Sequence, residues 1–541
     1  MFGGVLELLL KVLLFAQELF LFCYDRVVHF LFGLWYSRIP QQTLPPISDP
    51  LLLQPATTLA EKIRTKQVKC SDVVRAYIKR IKEVQPMLNA IVDQCFEAAL
   101  DEAEEIDKTV SSDGGASLAR NKPLLGVPFT VKNYIGLEDL LQDTGSWYLK
   151  GHRADDDAKS VELLRVAGAI PLAVSNVAEM CFSSDCDNRV YGRTNNPYDT
   201  NRIPGGSSGG ESALLASAAS VVGVGTDIFG SVRCPAACCG IFAHKPTSGA
   251  VSLDGLYPEL DGDVSKFNSV GPMVRYIDDM LPVLKVLVGP EESKRLNLDT
   301  AVDIRSVKLH YTPYDSAEFI SRVHPVMTAA VYKAVTYLET VCQTKSQYFS
   351  FPELGDATDT WMANFTAGSK FPLAQVFQAK TGRLRPLKEL LLTAIGKSHH
   401  NLASIFFVRY QNSGKFRNVG ALRDYVERMN VFRDLLERTL GDDGVLILPA
   451  NSAPAPYHNE WLSRFKYFIS FTCLFNLVGV PVTAVPITTH GKDGMPVAVQ
   501  VVAGRNQDRL CLAVAKELAN GFGGWKPPTS VEEEPVESND D

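Results

Sequence analysis

The segment Pro204-Gly205-Gly206-Ser207-Ser208-Gly209-Gly210-Glu211 and the small-residue run behind it, Ser212 to Ser220 (SALLASAAS), constrain this chain more than any other feature. Standing alone, the glycines and serines would suit a flexible linker. They do not stand alone. An Ala/Ser/Leu helix is expected next, then the strand-like Val-Gly-Val-Gly, then the turn Gly225-Thr226-Asp227-Ile228-Phe229-Gly230-Ser231-Val232-Arg233. A linker has no reason to run directly into such a succession. Upstream, the apolar strand-like run Leu124 to Val131 ends at Lys132.

These residue types can do specific chemistry. A serine hydroxyl is a weak nucleophile until a neighbouring base takes its proton. A lysine can be that base if burial keeps it neutral, because desolvation disfavours the ammonium. Lys132 follows an apolar strand, so its stem is placed to enter a core. Amide hydrolysis also needs donors for a developing oxyanion. The turn Ile228-Phe229-Gly230-Ser231 is the candidate, since glycine lets backbone approach closely. A rival reading takes Gly206-Ser207-Ser208-Gly209-Gly210 as a nucleophile elbow with Ser208 attacking and His458 or His490 assisting. An elbow should end an apolar strand, yet Asn195 to Arg202 before it is polar and turn-rich. No Lys-Ser or Lys-Thr follows the glycines, so they do not form a phosphate loop.

Taken together, Lys132, Ser207 and Ser231 fall where the amidase signature family of hydrolases places its lysine, bridging serine and nucleophile. The chain resembles that family further at Gly192 to Asp199, His244-Lys245-Pro246-Thr247, Gly271-Pro272-Met273 with Asp278-Asp279, Leu477 to Pro481 and Met495 to Gln500. The resemblance covers roughly 50–525. It implies an α/β fold with a large twisted mixed sheet covered by helices on both faces. Within the family the chain is most similar to the branch acting on long-chain fatty-acid amides. The membrane-type N-terminus, Leu51-Leu52-Leu53, Asp442-Asp443-Gly444-Val445 and Gly523-Gly524-Trp525 carry that likeness.

The resemblance implies a mechanism. Lys132 accepts a proton through Ser207 from Ser231, which attacks the amide. N–H groups of Ile228, Phe229, Gly230 and Ser231 hold the oxyanion. Ser208, Asp227 and Arg233 support the loop and turn, and Met180, Cys181 and Phe182, with the aromatics of 465–475, are candidates for an acyl channel. No metal or organic cofactor is implied, and a homodimer is allowed. Two positions depart from the family: Phe229 where a small residue is usual, and Ala498 where glycine is common. A bulky residue at 229 must turn away, line the channel or close the oxyanion site. Closing it would leave a catalytically impaired lipid-binding protein.

Length and charge set bounds. The chain has 541 residues. Strand-like runs 170–174, 221–224 and 445–448 alternate with helical stretches 56–86 and 422–440, as a mixed sheet with helices requires. The expected partition is an apolar helix over 1–37, a Pro-rich linker over 38–50, the catalytic domain over 51–528 and an acidic tail over 529–541. Net charge is −7, and 531–541 carries six acids and no base. The body is therefore near neutral, with no basic patch suggesting nucleic acid. The eleven cysteines lack zinc-site spacing and read as free thiols of a reducing compartment.

Residues 5–36 are strongly apolar, interrupted by Glu7, Lys11, Gln17, Glu18, Asp25, Arg26 and His29. At ~100° per residue, Glu7, Lys11, Glu18, Asp25 and His29 fall in a stripe about 40° wide. This predicts a helix with a narrow polar seam and a broad apolar face. Central charges cost roughly 2.5–3.5 kcal/mol each in a spanning helix, and the many Leu and Phe nearly offset them. Spanning the bilayer and lying in its interface are close in energy, and the seam favours the interface. An apolar anchor fits an enzyme whose substrate partitions into lipid. A glutamine amidotransferase subunit of the same family has no use for one. The expected partners are a lipid amide and a membrane, with an intracellular location such as the endoplasmic reticulum or lipid-droplet surface.

Overall fold

The apolar runs become strands of one large sheet in the computed structural model, which describes residues 20–21, 23–112, 121–314, 323–350 and 352–532. Along the chain the strands are β1 (Ile91–Gln94), β2 (Pro128–Lys132), β3 (Ile170–Ser175), β4 (Asp187–Asn188), β5 (Gly192–Arg193), β6 (Val222–Asp227), β7 (Phe242–Lys245), β8 (Ser269–Val274), β9 (Lys308–Tyr311), β10 (Gln347–Tyr348), β11 (Gly444–Pro449), β12 (Val482–Thr489) and β13 (Pro496–Ala503). Eleven of them form a sheet in the order β1-β3-β2-β6-β8-β7-β12-β13-β11-β9-β10, and β4 and β5 pair separately. β2 runs parallel to β3 and β6, and β9 runs parallel to β10 and β11. The other neighbours are antiparallel, so the sheet is mixed as expected.

Every residue of β2, β3, β6, β7, β8, β11 and β13 is buried. Side chains alternate between the faces of a strand, so both faces are covered. Helices Gly209–Ala216, Arg233–Cys239, Ile277–Arg295, Pro325–Cys342 and Asp508–Phe522 pack on the central strands. Gly209–Ala216 is buried at every position. Its small side chains permit that depth. A Cβ on Gly210 would lie 2.5 Å from the Asn176 carbonyl oxygen and 2.7 Å from that of Ala90.

Several expectations shift. The single helix expected over 56–86 is two, Ala56–Arg64 and Cys70–Leu88, with Lys66 left-handed between them at φ 62°. Asp279 holds the first from outside: its carboxylate accepts from the amides of Ala56 and Thr57 at 2.8 and 2.9 Å. The later helix begins at Val419 because the Asn418 side chain accepts from the Gly420 and Ala421 amides. Leu477 to Pro481, one of the stretches that resemble the family, joins a helix to a strand. Helix Phe465–Val478 ends there on left-handed Gly479, and β12 begins at Val482.

Residues 38–50 do not behave as a free linker. Leu44 and Ile47 are buried in the main core, and the Ile47 amide donates to the Ser530 carbonyl at 2.9 Å. Ile47 and Val531 form a parallel bridge. Residues 529–532, assigned to the tail, are thereby tied to the domain, and 533–541 lie outside the described residues.

Residues 23–36 are helical. Among the described residues no helix is long and apolar enough to cross a membrane, and the part of the apolar run over 5–19 lies outside them. The two seam residues among the described ones, Asp25 and His29, contact the protein. Asp25 is buried with the Arg464 guanidinium 3.8 Å away, His29 Nδ1 lies 2.9 Å from Glu460 Oε1, and Tyr36 stacks on Tyr457. The opposite face shows Phe30, Leu31 and Trp35 at 63, 56 and 64% exposure. This reverses the usual amphipathic arrangement.

Candidate active site

Three neighbouring parallel strands, β3, β2 and β6, deliver the site at the edge where parallel sheets usually bind ligands. Lys132 is the last residue of β2, and Thr226 stands near the end of β6. Lys132 is fully buried. Its Nζ lies 2.7 Å from Ser207 Oγ, 2.9 Å from Thr226 Oγ1 and 3.4 Å from the Thr226 carbonyl oxygen. Burial pushes its ammonium pKa below the ordinary lysine value, the direction that a role as base requires.

Ser207 follows a cis peptide bond with Gly206. The Ser208 amide donates to the Ser231 carbonyl at 3.2 Å, tying the glycine-serine loop to the second serine. The Ser208 hydroxyl donates to the Thr226 carbonyl, not to a histidine. His458 pairs with Asp185 and His490 with Asp493, and neither histidine is hydrogen-bonded to Ser208, as the elbow reading would require of its base.

The turn after β6 is organised by its carbonyls. Those of Asp227, Ile228, Phe229 and Gly230 accept, in order, from Asn476 Nδ2 (2.9 Å), Trp361 Nε1 (3.0 Å), Thr472 Oγ1 (2.7 Å) and the Cys234 amide (2.8 Å). In a trans peptide the N–H points opposite to its C=O. The amides of residues 228–231 therefore face away from those partners. The Gly230 amide is taken by the Asp227 carboxylate at 2.6 Å. Of the four expected oxyanion donors, Gly230 thus has its N–H committed elsewhere. The N–H groups of Ile228, Phe229 and Ser231 meet no acceptor among the described residues.

Asp227 and Arg233 form a buried ion pair, Nε to Oδ2 at 3.0 Å and Nη2 to Oδ1 at 3.0 Å. Burial alone would raise the Asp227 pKa. The guanidinium and the Asn476 amide outweigh it and hold the carboxyl well below its usual range. Arg233 also donates to Thr472 O, Gln500 Oε1 and Asn476 Oδ1. Glu211, buried behind Lys132, accepts from Thr130 at 2.6 Å, and burial lifts its pKa to about 7.

Phe229 turns away from this face. Its ring packs against Trp361, Phe407 and Phe182 at centroid distances of 5.1, 6.0 and 6.1 Å, and it does not line the neighbouring cavity. The position that demands glycine is the next one. Gly230 has φ 121°, and a Cβ there would lie 2.2 Å from Thr472 Oγ1. Ala498 is buried in β13, in a small cluster with Ala237 and Ala450.

A cavity of about 310 Å³ opens beside the serines. Ser207, Thr226, Ile228 and Ser231 stand on its wall with Met180, Cys181 and Phe182. Leu149, Val264, Phe365 and Val376 extend the wall as an apolar surface. Ser231 Oγ is buried with no hydrogen-bond partner among the described residues. Met180 and Cys181 have left-handed φ of 50° and 63°, an uncommon conformation for such side chains. Buried Glu179 anchors them: its carboxylate accepts from the Asn401 amide and Ser404 Oγ and lies 2.6 Å from His400 Nδ1. Residues 465–475 do not line the cavity. They form the helix that supplies Thr472 to the turn.

Thr226, Trp361, Thr472, Asn476 and Gln500 escaped the sequence reading as site residues. Thr226 lies inside the motif, and the tendency of parallel strands to place chemistry at their C-terminal ends could have found it. The others carry no local signal.

Residues 72–512 match the family described as Amidase. Fatty-acid amide hydrolase 2-A of Danio rerio is 39% identical over 93% of this chain and 96% of its own length. Fatty-acid amide hydrolase 2 of Homo sapiens is 38% identical over 91% and 93%. A solved structure titled fatty acid amide hydrolase superposes with a TM-score of 0.70 at 21% identity, covering 89% of this chain and 87% of that one, a likeness of fold. By its sequence match and its fold, the chain belongs to the amidase signature family and is an amide hydrolase.

Proposed function

We propose that the protein is a membrane-associated serine amidase that hydrolyses long-chain fatty-acid amides to a fatty acid and an amine. The observation that carries this reading is the buried Lys132 amine 2.7 Å from Ser207 Oγ, on a cavity that also holds the unpartnered Ser231 hydroxyl. The fatty-acid amide hydrolases among its relatives favour the same substrate class.

Neutral Lys132 takes the Ser207 proton as Ser207 takes that of Ser231. Ser231 Oγ attacks the carbonyl carbon, and the charge forming on its oxygen is met by the N–H groups of Ile228, Phe229 and Ser231. The tetrahedral intermediate collapses as the proton returns through Ser207 to the leaving nitrogen. Water then cleaves the acyl-enzyme. Ser208, Asp227 and Arg233 hold the two loops, and Met180, Cys181 and Phe182 flank the acyl chain. The apolar outer face of residues 23–36 supports membrane association. Helix Pro386–Ala394 adds exposed Leu387 and Leu391.

The test is hydrolysis of a long-chain N-acyl amide by wild type, Ser231→Ala and Phe229→Gly in detergent, with fluorophosphonate labelling alongside. Turnover and labelling should vanish in Ser231→Ala, and Phe229→Gly should gain nothing. A wild type that neither turns over nor labels, revived by Phe229→Gly, would overturn the reading.

A further inference from the structure

A second cavity, of about 490 Å³, shares the lining residue Asn268 with the cavity beside the serines. Its lining includes the cations Lys266, Arg433 and Arg505 and no carboxylate. Lys266 is paired with Asp263, but neither Arg433 nor Arg505 has an acidic partner among the described residues. Arg433 is braced by donating to the Leu477 carbonyl and to Asn430 Oδ1. Two polar groups on the wall are buried and unspent: Asn268 Nδ2, on a side chain only 3% exposed, and Ser248 Oγ. Gly479 lets the pieces converge. At φ 84° it leaves room where a Cβ would come within 3.2 Å of Ser248 Oγ and 3.4 Å of Arg505 Nη1.

Two unpaired guanidiniums beside an unpartnered amide N–H and a hydroxyl form a donor set without acceptors of its own charge class. Such a set suits carboxylate, sulfonate or phosphate oxygens. We propose that this cavity is an anion site. By its shared wall at Asn268 it receives either an acidic group carried on the amine side of the substrate or a free anion of the same chemistry. The first source rests on the hydrolase reading above; the second does not.

The experiment compares N-oleoylglycine with charge-free N-oleoylpropylamine in wild type, Arg505→Ala, Arg505→Lys and Arg433→Gln. Melting temperature is measured with and without inorganic phosphate. If the substrate supplies the anion, wild type favours the glycine amide. The kcat/KM ratio then falls about 10-fold in Arg505→Ala, the scale of one lost charge-assisted contact, and partly recovers in Arg505→Lys. If the anion is free, the ratio is unmoved, and phosphate raises the melting temperature of wild type but not of Arg505→Ala. Failure of both effects overturns the site. A wild type inactive on both amides refutes the hydrolase reading while the phosphate measurement still decides this one.

Discussion

The turn at 227–233 and the helix at 23–36 each turn polar side chains toward the protein, and they differ in what lies behind them. In the turn, four carbonyls, a carboxylate and a guanidinium find protein partners, and helices close over the whole assembly. In the helix, Asp25, His29 and Tyr36 meet residues 457–464, and the apolar side is left facing outward. A buried polar group must be satisfied wherever it sits. Apolar groups accept any environment that excludes water. The turn therefore needs the rest of the fold to be correct, whereas the helix leaves its apolar side uncovered by the described residues.

The largest effect should come from the chemistry of the turn. Ser231→Ala and Lys132→Met should each lower kcat by about 10³-fold or more, the scale seen when one member of a coupled nucleophile system is removed. Because burial depresses the Lys132 pKa, its basic form persists below the ordinary lysine range. Turnover should rise with pH through that depressed value and level off above it. An acid limb centred near the free-lysine pKa would break this assignment.

Next comes the geometry of the turn. Gly230→Ala puts a Cβ against Thr472 in a left-handed backbone, so about 10²-fold in kcat should be lost with the displaced oxyanion donors. Phe229→Ala should act differently, costing about 3–5 kcal/mol of stability for the lost ring, read by denaturant unfolding, with no gain in rate. Equal behaviour of the two variants would mean that Phe229 shapes the oxyanion site after all.

A smaller effect tests the helix. Leu31→Lys with Trp35→Lys should weaken co-sedimentation with lipid vesicles about 10-fold, since each swap removes apolar area from the interface. The melting temperature should barely move, because those side chains touch little protein. The smallest expected change is His29→Ala. His29 is half-exposed, and its buried partner Glu460 keeps the Tyr457 amide as a donor, so the loss should be about 1 kcal/mol, visible as faster amide exchange over 23–36.

What could be read in advance follows chain locality. Lys132, Ser207, Ser231, Asp227 and Arg233 lie in three short continuous motifs, so residue types and spacing carry them. The groups that orient the turn do not: Gln500 meets Arg233 from 267 positions away, and Trp361 and Thr472 lie in unrelated helices. The same holds for Phe229. A sequence shows a bulky residue in the 227–233 turn but not the side on which it leaves. At the N-terminus the seam was legible from periodicity, but a helical wheel has no inside, so its direction was not. Residues 38–50 misled because proline density resembles a linker, while Leu44 and Ile47 find core positions that only the assembled domain supplies.

The pairing of Ile47 with Ser530 and Val531, reinforced by Thr529 Oγ1 on the Leu44 carbonyl at 3.0 Å, turns the domain into a nearly closed ring. Chain ends held this close make a domain a natural subject for circular permutation. A short bridge from 531 back to 44 would add little loop entropy, since the span is already drawn together. New ends opened in an exposed turn, such as the one around Gly491, would leave the catalytic strands continuous while freeing the domain from the segment that leads to its apolar helix.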